Sequence, residues 1–182
     1  MSIRHSLLAI LDQGDCYGYQ LRVEFERRTA QARPLNVGQV YATLDRLERD
    51  GLVVKLGAST TGHVFYSITD EGRAEVATWF ETAEAGADVD ELALKLALAQ
   101  SLPGVDAAAL VDRQRAATAL EVDALRTGSS SADLARQLVD DARIAAAEAV
   151  LGWLARAETL VAESRPFALD VEPPRRGRPV RA

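Results

Sequence analysis

Nothing in the chain is spaced for catalysis. The only histidines, His5 and His63, stand far apart with no cluster of further metal ligands, and there is no nucleophile elbow or glycine-rich phosphate loop. The carboxylates are scattered as they are on solvated helix faces. Neither an enzyme nor a metal or other cofactor is expected. Cys16 is the single cysteine and lies between two predicted helices, with no second thiol in the chain to resolve an oxidised form. It is read as a buried or idle group, which fits a reducing compartment.

The residues that can do chemistry do the chemistry of recognition. Asn36, Gln39, Thr43 and Arg46 carry amide, hydroxyl and guanidinium groups at helical intervals. A short helix with an uncharged or Arg-bearing outer face fits the major groove of DNA, where such groups meet base edges. Tyr41 lies near enough to offer its hydroxyl to a phosphate. Arg4, Lys55 and the loop residues Thr61, Gly62 and His63 are candidates for backbone contact. Trp79 and Trp153 offer flat faces to a flat ligand, although anchoring a core or interface is the commoner role of such residues. The run from Pro173 to Arg181 contains Arg176-Gly177-Arg178-Pro179, which resembles an AT-hook core. Glycine lets an extended backbone lie in a narrow A·T minor groove, and the negative potential there attracts both arginines. The competing reading of this run is a solvated basic end.

These residues need elements to hold them. Ile3, Leu7, Leu8 and Leu11 recur at helical spacing from Ser2 to Asp12, and Gln13-Gly14-Asp15 stops that helix. A second helix is predicted from about Gly18 to Thr29. The third has the clearest bounds: Asn36 is a good N-cap, Gln39 completes a capping-box pair, and Val40, Leu44 and Leu47 form the apolar stripe. Gly51 stands where a left-handed residue ends a helix. At 3.6 residues per turn Gln39, Ala42, Thr43 and Arg46 are expected to point away from that stripe. Two strands follow, Leu52–Leu56 and Val64–Ile68, around a polar turn-forming run. Thr69 caps a fourth helix that carries Val76, Trp79 and Phe80. Helix, helix, helix, strand, loop, strand, helix is the order of a winged helix-turn-helix domain.

The remainder reads as helices over about 89–100, 106–126 and 132–164. On the last, Leu138, Ala142, Ala145, Ala149, Trp153 and Ala157 make a seam whose small side chains permit close approach of a partner helix. No stretch nears the roughly 20 apolar residues that span a bilayer, and the first ten residues lack a cleavage site. A mature cytoplasmic protein without a membrane partner is expected. Residues 1–86 carry nine basic against twelve acidic side chains, residues 87–172 eight against fifteen, and the last ten residues four against none. The acidity thus sits behind the candidate DNA reader, and net charge does not decide whether nucleic acid is bound.

The run from Leu35 to Val53 resembles the recognition helix of the PadR family of regulators, with Tyr41 mid-helix, Leu44-Asp45-Arg46-Leu47-Glu48 behind it and Gly51 before the first wing strand. Phe65-Tyr66-Ser67-Ile68-Thr69-Asp70-Glu71-Gly72 resembles the second wing strand and helix cap, and Gly18-Tyr19-Gln20-Leu21 the start of the second helix. The likeness covers about the first 85 residues; the helical remainder agrees with the longer subfamily in layout and length. One departure stands out: His63-Val64 precedes the paired aromatics where family wings often carry Arg or Lys, so a weaker wing contact is expected. The resemblance implies a repressor that dimerises through its C-terminal helices and is released from DNA by a small, commonly aromatic ligand. The expected architecture is mainly α, with a winged-helix domain over residues 1–86, a helical dimerisation domain over 87–170 and a disordered basic tail over 171–182. Two-fold symmetry then implies a pseudo-palindromic site on double-stranded DNA. The rival reading is a winged-helix adaptor that binds protein and never reads DNA.

Overall fold

The computed structural model describes residues 2–32, 34–58, 62–83, 85–86, 88–128 and 133–170. Thr61, Arg176, Gly177, Arg178 and the rest of the predicted basic tail lie outside the described residues. The elements run α1 (Ser2–Leu11), β1 (Cys16–Tyr17), α2 (Gly18–Arg28), α3 (Val37–Arg49), β2 (Val53–Ala58), β3 (Val64–Ile68), α4 (Asp70–Glu81), α5 (Val89–Ala99), α6 (Ala107–Gly128) and α7 (Leu134–Ala162). They fall into two compact units. One joins the chain up to Val76 with the residues from Phe167 onward; the other is Ala77–Pro166.

In the first unit the apolar faces of three helices meet the sheet. Leu7, Leu8, Ile10 and Leu11 of α1, Leu21 and Phe25 of α2, and Val40, Leu44 and Leu47 of α3 are fully or almost fully buried. Burial of each such side chain is worth about 1.5–3 kcal/mol. β3 is the middle strand, with β2 and β1 antiparallel on either side. β1 is absent from the sequence reading because two residues are too few to show an alternating pattern. Its pairing, Cys16 with Tyr66 and Tyr17 with Phe65, ties the start of α2 to the wing.

The end of α3 explains how the wing is aimed. Gly51 has φ +76°, and the amides of Gly51 and Leu52 donate to the carbonyls of Glu48 and Leu47. This is a Schellman closure, in which only a residue tolerant of left-handed geometry turns the chain into β2. The Thr69 hydroxyl donates to Gly51 O at 2.8 Å and accepts from Gly72 N at 3.1 Å, so one side chain joins the end of α3 to the start of α4. Gly72 is packed so closely that a Cβ there would lie 2.3 Å from Leu52 O.

The described chain returns to this unit in a short strap, residues 167–170, laid along α2. The guanidinium centres of Arg27 and Arg28 lie 4.4 and 4.6 Å from the Phe167 ring centre. Those two side chains donate to the carbonyls of Ala168 and Phe167. Gln20 Nε2 donates to Asp170 O at 3.2 Å, and Asp170 N donates to Glu24 Oε1 at 3.2 Å. Glu24 is 1% exposed, and its carboxylate also meets Arg27 and Arg28. Charges buried this deeply persist only when paired and hydrogen-bonded.

In the second unit α6 and α7 pack along their length. Asp140, Ala147, Leu154 and Ala157 are the buried positions of α7, the first three at seven-residue intervals. Most of the seam expected to seek a partner lies elsewhere on the helix: Leu138, Ala142, Ala145 and Ala149 are exposed. α7 begins at Leu134, two residues later than expected, because the Asp133 carboxylate accepts from Ala135 N at 2.9 Å and caps it. Arg115–Glu158 and Arg126–Glu148 ion pairs flank the α6–α7 contact.

Candidate nucleic-acid interface

α3 presents a defined polar face. Asn36 Oδ1 accepts from Gly38 N at 2.8 Å, and Gln39 Oε1 accepts from Asn36 N at 3.2 Å. Both amide oxygens are thus spent on the helix start, and the amide nitrogens remain as outward donors. Asn36, Gln39, Ala42 and Arg46 are all exposed. Arg46 Nε donates to Ala42 O at 3.0 Å, which lays the side chain along the helix. Thr43 departs from the expected face. It is only 9% exposed, and its hydroxyl donates to Gln39 O at 2.8 Å. It stands three residues after Val40 and four before Leu47, so it shares their side of the helix. The outward set is therefore Asn36, Gln39, Ala42 and Arg46.

Tyr41 borders this face. It is 40% exposed, and its ring lies over the start of α2: a Cβ at Gly18 would sit 2.7 Å from two of its ring carbons. The glycine is required here by close approach. Tyr17, which precedes Gly18 in the chain, stacks on His63 with ring centres 4.4 Å apart. Gly62 is exposed with φ +78°.

The two cations expected to meet phosphate are engaged within the unit. Arg4 bonds Asp50 at 2.6 Å and Glu75 at 3.1 Å, joining α1 to the end of α3 and to α4. Those carboxylates raise its pKa against the opposing effect of burial. Lys55 meets Glu48 at 2.5 Å and Asp45 at 3.5 Å. The Glu48 hydrogen bond raises its pKa.

Residues 7–78 match the model of the transcriptional regulator PadR-like family. No curated protein matches this chain. Among solved structures it is similar to Bacillus subtilis PadR in complex with operator DNA, at 20% identity over 88% of this chain and 99% of that one, with a TM-score of 0.42. The same Bacillus subtilis protein in complex with p-coumaric acid shares 20% identity over 89% of this chain and 96% of that one, with a TM-score of 0.40. A transcriptional regulator from Clostridium thermocellum shares 24% identity over 43% of this chain and 76% of that one, with a TM-score of 0.41.

The chain also has a cavity in its helical unit. It measures about 310 Å³, and its wall includes Gln114, Thr118, Glu121, Arg143, Ala147 and Val150. Gln114 Nε2 donates to Thr118 Oγ1 at 3.3 Å, while Glu121 accepts from Gly86 N and faces Arg143 at 3.7 Å. Neither Trp79 nor Trp153 is on this wall. Trp79 instead packs on Phe80, with Lys95 Nζ 5.4 Å from its ring centre, and Trp153 is half-buried on α7. Gln114 and Thr118 stand four residues apart, a helical spacing that passes in sequence for an ordinary polar face. No group of acidic, histidine and cysteine residues able to hold a metal occurs among the described residues. No helix among them is long and apolar enough to cross a membrane.

Proposed function

We propose that this protein is a PadR-like transcriptional regulator, a homodimeric repressor that reads a pseudo-palindromic operator through α3 and is released by a small ligand. The observation that carries the reading is the outward face of α3. Asn36, Gln39 and Arg46 stand exposed on a helix whose start is fixed by its own side chains, in the domain the family match covers. Donors held in this way match the acceptors that purines present in the major groove. Bacillus subtilis PadR, solved with operator DNA and with p-coumaric acid, is the precedent for both kinds of ligand. Dimerisation is supported by the exposed apolar residues of α7, Leu134, Leu138, Val139 and Leu160. The cavity between polar Gln114 and Arg143 is of a size for a small effector.

The engagement of Arg4 and Lys55 by carboxylates favours a second reading, an adaptor that meets protein instead of DNA. A gel-shift titration against the protein's own upstream DNA and an unrelated fragment, at two salt concentrations, separates the two. Preferential binding that weakens with salt supports the repressor reading. Equal binding to both fragments, or none, favours the adaptor.

A further inference from the structure

We infer that the cavity of the helical unit is a binding site for a small organic cation, one with N–H donors at its head and an apolar body behind it. The inference rests on the small-ligand part of the reading above and deepens it by naming the chemistry that the cavity takes.

The two charged groups on the wall are unequal. The Glu121 side chain on α6 is 11% exposed, whereas that of Arg143 on α7 is 56% exposed. One Glu121 oxygen accepts from Gly86 N at 2.6 Å, which pins the carboxylate from the segment ahead of α5. The other meets Arg143 at 3.7 Å, too far for a hydrogen bond, and no donor among the described residues bonds it. A carboxylate has room for about four donors. Glu121 thus brings to the cavity a largely buried charge with most of its accepting capacity unused, an arrangement that an incoming N–H donor relieves.

Arg143 competes weakly for this place. Its head stands mostly in water, and so long and exposed an ion pair contributes little, so turning it outward costs correspondingly little. An anionic ligand meets the opposite situation. Arg143 is the sole base among the described residues of the wall, and an anion drawn to it would lie against the pinned carboxylate. The surroundings act in the same direction, since residues 87–172 carry fifteen acidic against eight basic side chains, a field that gathers cations.

The remaining wall shapes the body of the ligand. Val89, Ala147 and Val150 offer aliphatic surface, while Gln114 and Thr118 are hydrogen-bonded to each other. No aromatic ring lines the wall among the described residues. A quaternary ammonium, which ring faces hold, therefore finds no cage here, whereas a head with N–H groups finds Glu121. At about 310 Å³ the cavity lies at the small end of ligand pockets, which run from about 300 to 1,000 Å³.

The test is calorimetric titration of the full chain with three probes that share one body: 4-phenylbutylammonium, its N,N,N-trimethyl derivative and 4-phenylbutanoate. The primary ammonium should bind saturably at one site per chain. The trimethyl form should bind about tenfold more weakly for want of N–H donors, and the carboxylate more weakly still. Glu121→Gln, which keeps an oxygen for Gly86 N, should weaken the ammonium by at least about tenfold. Arg143→Gln alters an exposed side chain and leaves the fold intact; it should tighten the ammonium about threefold. Preference for the carboxylate, equal binding of all three probes, no binding of the ammonium, or an Arg143→Gln variant that binds it more weakly would each overturn the inference. A parallel gel shift keeps the broader reading separate. Saturable ammonium binding that leaves the DNA complex intact would uphold this site and overturn release by its ligand.

Discussion

α3 and α7 both present a long face to solvent, and the two faces are opposite in kind. That of α3 is polar and locally satisfied: Asn36 and Gln39 hold the helix start, and Arg46 lies back on Ala42. That of α7 is apolar and bare, with Leu138 and Val139 each more than half exposed. An exposed polar face costs nothing in water and awaits a polar partner. Clustered exposed aliphatics are unfavourable until covered, and a second copy of the same helix covers them with two-fold economy. On the reading proposed above, the first face serves recognition and the second association.

The largest effect should come from the apolar face. Leu138→Asp should convert a dimer to monomers in sedimentation, since each Leu buried twice by symmetry is worth about 3–6 kcal/mol in all. DNA affinity should then drop by over about a hundredfold, and an unchanged sedimentation coefficient would remove α7 as the interface. Next is the joint that aims α3. Gly72→Ala forces a Cβ against Leu52 O and should cost about 2–3 kcal/mol in denaturant unfolding. A smaller effect sharpens the polar side of the comparison. Arg46→Ala should weaken specific binding by about tenfold or somewhat more while sedimentation is unaltered. Thr43→Val, which keeps the buried shape, should bind within about twofold of the parent; a large loss would return Thr43 to the outward set.

The smallest effect concerns His5. Burial lowers its pKa, a shift opposed by Glu75 at 3.2 Å. The folded state therefore binds this proton less readily than the unfolded chain. Its contribution is fully present above the unfolded value, near 6.5, and is lost as pH falls below it. Denaturant unfolding between pH 7.5 and 5 should show stability falling with pH, less steeply in His5→Gln. Equal slopes would assign the dependence to other groups.

Much of this fold was legible because its signals are local. The Asn36/Gln39 pair, the Val40-Leu44-Leu47 stripe and Gly51 together bound α3, and the structure has the cap bonds and the left-handed turn expected of them. Thr43 falls on the buried side because a helical wheel has no sharp border: about 65° from the centre of the stripe is still inside. The engagement of Arg4 could not be read, since Asp50 and Glu75 are distant in sequence and meet it only after folding. The strap left a faint trace in the alternation of Phe167 and Leu169, two residues apart beyond a long helix. Its partners Gln20, Glu24, Arg27 and Arg28 look like any solvated helix face until a segment some 140 residues away covers them.

Cys16 gives the molecule a built-in reporter. The thiol is fully buried in β1, and burial, with Glu24 nearby, pushes its pKa up to about 12. While β1 stays paired with β3, a thiol-modifying reagent finds neither access nor thiolate. Labelling must wait for that edge of the sheet to part, so its rate counts opening events at the junction of wing and second helix. With one cysteine in the chain, the signal has a single source. Slower labelling upon adding DNA would register, at this one position, how far the grip on the duplex stiffens the domain behind it.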